Sequence, residues 1–342
     1  MDVVHRLVSG VLVRRRAGLL LLPVLLLVSC GQGAEPTDRA GETPTSQPSS
    51  TQSAAAGTLP KVVGAVGSKP TIDAPDTPPA EELVVETLEE GDGDVIAKGD
   101  LMVADYLGQT WEDDKVFDNS YDRGQPIALP IGSGRVIKGL DEGLVGTSVG
   151  SRVLLSIPPE KGYGPQGNPQ AGIEGDDTLV FLLDVIGRHA ADAAATGEPA
   201  DTPGAGLPQV SGDGAGAPEV QVPKGRKPPK KLSVTTLLRG DGPPVEQGQL
   251  LVAQYTGLTW DDGKTFDSSW ERGAPAAFPI GVGQVIPGWD EALVGVPAGS
   301  RVLLVIPPDK GYGPQGNPEG GIEKNATLVF VVDVLASYGA TA

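Results

Sequence analysis

Few side chains in this 342-residue chain can do covalent, metal-binding or acid–base chemistry. Cys30 is the single cysteine, and His5 and His189 are the two histidines. These numbers exclude an intrachain disulfide and a cysteine site for zinc, and they exclude a Ser-His-Asp triad or histidine metal site within the folded domains described below. The chemistry must therefore rely on aromatic and aliphatic side chains, backbone amides and a few carboxylates, and no metal or organic cofactor is implied.

Residues of these types recur at a fixed interval. The segment Lys161–Pro169 is repeated without change at Lys310–Pro318, 149 residues later. The same offset holds without a gap between residues 83–185 and residues 232–334. Solenoid repeats have much shorter periods, so the sequence predicts a duplicated domain. We call residues 81–188 copy one and residues 231–337 copy two.

Copy two contains a series of aromatic and glycine-rich elements. In chain order they are Tyr255-Thr256-Gly257, Phe266-Asp267-Ser268, Val285-Ile286-Pro287-Gly288-Trp289 and Tyr312-Gly313. Each element alone is weak evidence, because an isolated aromatic residue is more often part of a core and an isolated aspartate more often part of a turn. Together, in this order and present twice, they resemble the FKBP-type peptidyl-prolyl cis-trans isomerases over the whole repeat.

The resemblance implies a curved antiparallel sheet wrapped around one short helix, with a pocket between them. The implied pocket residues of copy two are Tyr255, Phe266, Asp267, Phe278, Val285, Ile286, Trp289, Tyr312, Ile322 and Phe330. By the same resemblance Trp289 forms the floor, and Ile286 in the wall offers its backbone N–H to the substrate. Tyr312 hydrogen-bonds a substrate carbonyl, and Asp267 orients polar groups at the rim.

Copy one departs from the family pattern within its pocket. The implied second site consists of Tyr106, Phe117, Asp118, Leu129, Val136, Ile137, Leu140, Tyr163, Ile173 and Phe181. Leu140 replaces the floor tryptophan, and Leu107 follows Tyr106 where the family has threonine. An isobutyl group in place of an indole removes a large flat apolar surface and leaves a wider pocket. We therefore expect copy one to be a weaker isomerase than copy two.

The implied reaction suits these residues. Rotation about an X–Pro bond has a barrier of about 18–20 kcal/mol, because resonance gives the C–N bond double-bond character, and it takes tens of seconds or more without a catalyst. The planar amide is more dipolar than the twisted one. An apolar, water-excluding pocket with a few fixed donors therefore favours the twisted amide.

The elements that must position these residues can be read from the hydrophobic pattern. In copy one, short β-branched segments bounded by Gly, Pro or Asp predict antiparallel strands at residues 83–88, 101–107, 127–131, 153–157 and 178–186. Leu140 and Leu144 are four residues apart and predict a helix over Gly139–Val145, and copy two repeats it around Trp289–Leu293. The predicted fold class is α+β, with two domains at 81–188 and 231–337.

Residues 1–29 are predicted to be an export signal. Arg6 and Arg14–Arg16 precede an apolar run over residues 17–28, which is too short to span about 30 Å of hydrocarbon but suits a signal peptide. Leu27-Val28-Ser29-Cys30 resembles the bacterial lipobox, which implies lipidation of Cys30 and a membrane anchor. An ordinary signal peptide with a chance cysteine is the alternative.

The remaining segments have the composition of linkers. Residues 30–80 and 189–230 are rich in Ser, Thr, Pro, Ala and Gly, so they are predicted to be a disordered tether and a disordered linker. The second ends in the basic run Lys224–Lys231. Such a run either contacts anionic headgroups or cell-wall polymer, or is a solvated spacer.

The charge and the resemblance together give the expected partners. The net charge of −18 disfavours nucleic-acid binding. We expect a monomer, lipid-anchored at the extracytoplasmic face of the cell membrane, that acts on proline-containing exported polypeptides, and the family implies a macrolide as a ligand. One alternative is a chaperone or scaffold that holds proline segments with little turnover and tolerates Trp289→Leu. Another is a structural envelope protein with closed cores.

Overall fold

The computed structural model describes residues 59–212 and 216–339, so the predicted export signal, Cys30 and the tether before residue 59 lie outside the described residues. Within those ranges no helix is long and apolar enough to cross a membrane. The first half contains β1 (Lys61–Val63), β2 (Thr71–Asp73), β3 (Val84–Glu89), β4 (Leu101–Thr110), β5 (Val116–Asn119), β6 (Ile127–Pro130), α1 (Lys138–Gly143), β7 (Arg152–Ile157) and β8 (Leu179–His189). The second half contains β9 (Glu198–Pro199), β10 (Gln209–Ser211), β11 (Glu219–Gln221), β12 (Ser233–Arg239), β13 (Leu250–Thr259), β14 (Thr265–Ser268), α2 (Ser269–Arg272), β15 (Ala276–Pro279), α3 (Pro287–Leu293), β16 (Arg301–Ile306) and β17 (Leu328–Tyr338).

Each copy is built on one antiparallel sheet. In copy one the strand order is β3-β7-β8-β4-β5, with β6 also paired to β4. In copy two it is β9-β12-β16-β17-β13-β14, with β15 paired to β13 and β9 contributed by the segment before the copy. The long strands β4 and β13 are buried almost throughout. Side chains of a strand alternate between the two faces of the sheet, so both faces must be covered. The predicted α+β class, with two domains of the same architecture, is confirmed.

A short helix covers the concave face of each sheet. In copy two, α3 brings Trp289 and Leu293 into the core. The helix lies so close to the sheet that a Cβ on Gly288 would be 2.5 Å from the Cγ2 atom of Ile306. Only glycine fits this contact. The sequence pattern predicted α1 and α3 but missed α2, a single turn at whose start the Ser268 side chain accepts from the N–H of Glu271.

Two hairpins lie in segments that we predicted to be disordered, and that part of the prediction is wrong. The first hairpin (β1–β2) places Ile72 on the convex face of copy one, against Leu107 and Trp111. The second hairpin (β10–β11) covers the equivalent face of copy two. The Ser-, Pro- and Gly-rich composition of these segments suggested disorder, and a two-stranded hairpin is only marginally stable by itself. Each hairpin is stabilised because it buries an apolar sheet face.

The polar contacts below each hairpin are repeated as well. Arg152 forms a buried ion pair with Asp184 and donates to the carbonyl oxygens of Gly64, at 2.6 Å, and Ala65, at 2.9 Å, in the first hairpin. The N–H of Gly67 donates to Asp184 at 3.0 Å. Arg152 thus joins the sheet to the chain that covers it.

The two copies pack against each other through the rest of their convex faces. The buried contact residues are Leu101, Val103 and Ala128 from copy one and Leu250 and Val252 from copy two, with Ile186, Ala277, Leu335 and Tyr338 packed against them. Four pairs in this list, such as Val103 and Val252, are equivalent by the 149-residue offset. Both copies therefore use the same patch, as in a two-fold symmetric dimer interface.

A histidine–tyrosine pair crosses this interface. Nε2 of His189 lies 2.9 Å from Oη of Tyr338. Burial, with a smaller contribution from Arg188, lowers the pKa of His189 to about 4, and burial raises the pKa of Tyr338 to about 12. Both groups are therefore neutral at pH 7.

We expect the full chain to lose stability as the pH falls from about 6.5, the pKa of an unfolded histidine, towards 4. The reason is that in this range the unfolded chain binds a proton on His189, whereas the buried His189 of the folded chain does not. The loss due to this residue is at most about 3 kcal/mol. Denaturant unfolding of wild type and His189→Gln over this range is the measurement. A stability difference that does not change with pH would contradict the expectation.

Candidate functional site

The concave face of copy two holds a cluster of aromatic rings around one tryptophan. Trp289, at the start of α3, has its ring centroid 5.3 Å from those of Tyr255, Phe278 and Phe330, with interplanar angles of 79–90°. Phe266 extends the cluster, edge-on to Phe330 at 5.5 Å. Edge-to-face pairs of this kind are favourable beyond the area they bury. The result is a stiff apolar floor with rings on several sides.

The strand below the rings must come very close to them. A Cβ on Gly257 would lie 2.7 Å from Phe330 and 2.8 Å from Phe266. Gly108 of copy one stands in the same relation to Phe117 and Phe181. This explains the glycine in the Tyr255-Thr256-Gly257 element, because a larger residue would displace both phenylalanines.

Three polar side chains, Tyr255, Asp267 and Arg272, form a hydrogen-bonded set at the rim of the aromatic cluster. The hydroxyl of Tyr255 donates to Asp267, and Arg272 binds both partners, donating to Asp267 and, at 2.7 Å, to the Tyr255 hydroxyl. The guanidinium carbon lies 5.3 Å from the centroid of the Tyr255 ring. Burial raises the pKa of Tyr255 above its usual range, so the phenol keeps its proton and acts as a donor. The charges of Asp267 and Arg272 offset each other, and the two side chains hold the Tyr255 hydroxyl in place at the rim.

The wall residues Val285 and Ile286 precede α3. The helix holds their loop through Asp290, which accepts from the N–H of Gly281 at 2.6 Å and from that of Gly283 at 2.8 Å. Among the backbone hydrogen bonds of the described residues, none uses the N–H of Ile286 as donor. Its hydrogen bond to a substrate stays a prediction.

The structure brings together nearly all of the residues predicted for copy two. Tyr255, Trp289, Ile322 and Phe330 are buried in one cluster, and Phe266, Phe278, Val285 and Ile286 pack against it. Asp267 joins them through the Tyr255 hydroxyl. Tyr312 is different, because it is 37% exposed. Its hydrogen bond to a substrate carbonyl stays a prediction.

Copy one has the same plan with a gap in its floor. Of its predicted residues, Tyr106, Leu129, Ile137, Leu140, Ile173 and Phe181 are buried together, and Phe117, Val136 and Tyr163 pack against them. Asp118 accepts from Tyr106 and Arg123 as Asp267 does from Tyr255 and Arg272. A small apolar cavity lies beside Leu140, bounded by Tyr106, Val136 and Phe181. Leu140 is the equivalent of Trp289 by the 149-residue offset.

Leu107 does not affect the pocket, although we listed it among the departures that matter there. It packs on the opposite face of the sheet, beneath the first hairpin with Trp111. Tyr106 and Leu107 are consecutive in a strand, so their side chains point to opposite faces. The departures that change the site are Leu140 and Leu129, which stand where copy two has Trp289 and Phe278 and which line the cavity.

Two site residues were missed in the sequence. Arg272 fixes the rim group, and Asp290 fixes the wall loop. Both recur in copy one at the same offset, as Arg123 and Asp141, and Asp141 likewise accepts from the loop N–H groups of Ser133 and Gly134. The signal was therefore present as charged residues kept in both copies.

Comparison with known proteins gives the family. The model of FKBP-type peptidyl-prolyl cis-trans isomerases matches residues 93–186 and 242–335, more than half of the chain. An FK506-binding protein of Streptomyces anulatus is 42% identical over 119 residues, which are 35% of this chain and 95% of that protein. Peptidyl-prolyl cis-trans isomerase FKBP10 of Homo sapiens is 34% identical over 279 residues, 79% of this chain and 40% of the human protein. The chain thus spans about two fifths of the human relative.

Among solved structures, FkpA from Escherichia coli is 39% identical over 34% of this chain and 54% of its own, with a TM-score of 0.30. The three FKBP domains of wheat FKBP73 match 75% of this chain and 94% of their own at 21% identity, with a TM-score of 0.31. The chain belongs to the FKBP-type peptidyl-prolyl cis-trans isomerases, an enzyme family, and carries the family's domain twice.

Proposed function

We propose that this protein isomerises X–Pro bonds in exported polypeptides at the outer face of a cell membrane, with most of the turnover in copy two. The observation that carries the difference between the copies is the floor of the pocket. Trp289 closes it with contacts to three other rings, whereas copy one has a cavity beside Leu140. The membrane location is supported by the Leu27–Cys30 sequence.

The reaction needs apolar surface and well-placed donors, because no covalent bond is broken. A proline ring on Trp289 would remove the X–Pro amide from water, which costs the dipolar planar amide more than the twisted one. The N–H of Ile286 would hold the carbonyl that follows proline. Asp267 and Arg272 keep the Tyr255 hydroxyl in one position, so the donors are ordered before the substrate arrives.

The test is the isomerisation rate of short X–Pro peptides with the full chain and two matched variants. Asp267→Asn leaves the guanidinium of Arg272 without its carboxylate, and we expect kcat/KM to fall about fivefold. Asp118→Asn makes the same change in copy one, and we expect less than about a twofold change. Equal losses would contradict the ranking of the copies. Absence of acceleration with any X residue would contradict the isomerase itself.

A second candidate is a chaperone that holds proline segments with little turnover. The interface between the copies favours it, because two sites fixed in one molecule raise the effective concentration of a bound chain. The relative from Streptomyces anulatus is named an FK506-binding protein, so FK506 is a suitable probe of pocket binding. FK506 and peptide binding without rate enhancement would identify this function.

A further inference from the structure

A basic segment runs along copy two in a place where copy one is acidic. We call Lys224–Lys231 the basic strap and its equivalent, Pro75–Glu82, the acidic strap. The basic strap contains Lys224, Arg226, Lys227, Lys230 and Lys231 and no acidic residue, whereas the acidic strap contains Asp76, Glu81 and Glu82 and no basic residue. The duplication has therefore produced two straps of opposite charge.

The straps are structurally equivalent. Nε1 of Trp111 donates to the carbonyl oxygen of Thr77 at 3.1 Å, and Nε1 of Trp260 donates to that of Arg226 at 3.0 Å. Both pairs are separated by 34 residues along the chain. Each strap follows its hairpin and leads into the first strand of its sheet. The basic strap is therefore held at a defined place, and its charges are not those of a freely moving linker.

The cations of the basic strap are available to a partner. All five are exposed, and none of them appears in an ion pair among the described residues. This is notable in a chain of net charge −18, where acidic side chains are abundant. Exposed cations concentrated in so short a segment create a local positive potential that attracts anions.

The basic strap also borders the loop that leads to the pocket. Lys227 and Lys230, with Pro228 and Pro229 between them, line an open cleft whose other side is formed by Pro307, Pro308 and Asp309. That loop continues directly into Tyr312 at the rim of the site. Its Lys310 is paired with Glu291 of α3, the helix that carries Trp289. The basic strap thus borders the same loop that carries Tyr312.

We propose that the basic strap is a docking surface for acidic stretches that flank the proline in the polypeptides bound by copy two. The proposal rests on the proposed function and adds a substrate class to it. Complementary charge near a binding site raises the association rate and selects among partners. The acidic strap of copy one would repel the same stretches, so the two copies prefer clients of different charge.

The experiment compares X–Pro peptides with the same core flanked either by glutamates or by glutamines. With the full chain at low salt, we expect kcat/KM to be about fivefold to tenfold higher for the glutamate peptide. The preference should vanish at about 0.5 M salt, where charges are screened beyond a few ångströms. A variant with all five strap cations replaced by glutamine should lose the preference and keep its rate on the glutamine peptide.

The matched control neutralises the acidic strap with Asp76→Asn, Glu81→Gln and Glu82→Gln, and it should keep the preference. Equal rates on the two peptides in the wild type, or a preference that survives the basic-strap variant, would overturn the proposal while leaving the isomerase intact. If neither peptide is isomerised, the proposed function fails. Fluorescence anisotropy of the labelled glutamate peptide then tests the strap alone: binding that the basic-strap variant loses would support it, and binding that the variant keeps would overturn it. Binding to phosphatidylglycerol vesicles that depends on the strap, without a peptide preference, would replace the proposal with membrane contact.

Discussion

Replacing Trp289 by leucine should lower kcat/KM of the full chain by about tenfold to thirtyfold. The change removes most of the flat surface on which a proline ring would lie, and about 2 kcal/mol of apolar contact corresponds to a factor of this size. Trp289 contacts three rings of the site, so those rings would also lose their common neighbour. The measurement is the isomerisation of an X–Pro peptide at substrate concentrations that separate kcat from KM.

The chain supplies its own control for this substitution. Leucine occupies the same place in copy one, where Leu140 is 3% exposed in an intact core, so leucine is compatible with the fold. Thermal unfolding of Trp289→Leu should show a folded protein at the assay temperature. The reverse change, Leu140→Trp, should raise the turnover of copy one if its ring enters the cavity there. An unchanged kcat/KM in Trp289→Leu would favour a binding module or a structural role.

Replacing Arg301 by leucine should destabilise copy two by about 3–5 kcal/mol. Arg301 forms an ion pair with Asp333, and both side chains are buried, with relative exposures of 5% and 1%. Without the arginine, Asp333 keeps the N–H of Ala195 as a donor at 3.0 Å but has lost its counter-charge. A loss of this size is a large part of the stability of a typical domain. Denaturant unfolding is the measurement.

Two further variants give this result its meaning. The double variant Arg301→Leu, Asp333→Leu should be less destabilised than Arg301→Leu alone, because no unpaired charge remains buried. Lys310→Met removes an exposed partner of Glu291 and should cost less than about 1 kcal/mol. If Arg301→Leu were as mild as Lys310→Met, the ion pair would not be important for stability.

Most of the pocket residues could be predicted from the sequence, whereas the polar residues that hold them in place could not. The aromatic elements, present twice at the 149-residue offset, carry the family resemblance that implied the pocket residues. Arg272 was missed because a single exposed-looking arginine carries no pattern of its own. Its role depends on where its guanidinium lies, between Asp267 and the Tyr255 hydroxyl.

The hairpins show why the rest of the fold could not be predicted. Ile72 and Val210 are isolated apolar residues in segments of linker composition, and no local signal distinguishes them from residues of a flexible chain. Their partners, such as Leu107 and Leu258, lie on a convex sheet face. In a two-layer domain that face would be exposed to water. Only the complete sheet shows that it needs a cover.

The interface between the copies also determines how the protein responds to dilution. Two separate subunits that paired through Leu101, Val103 and their equivalents would dissociate at low concentration, as every homodimer does. Here both halves belong to one chain, so their association does not depend on how much protein is present. Duplication within one chain has thus turned an encounter between two molecules into an intramolecular contact.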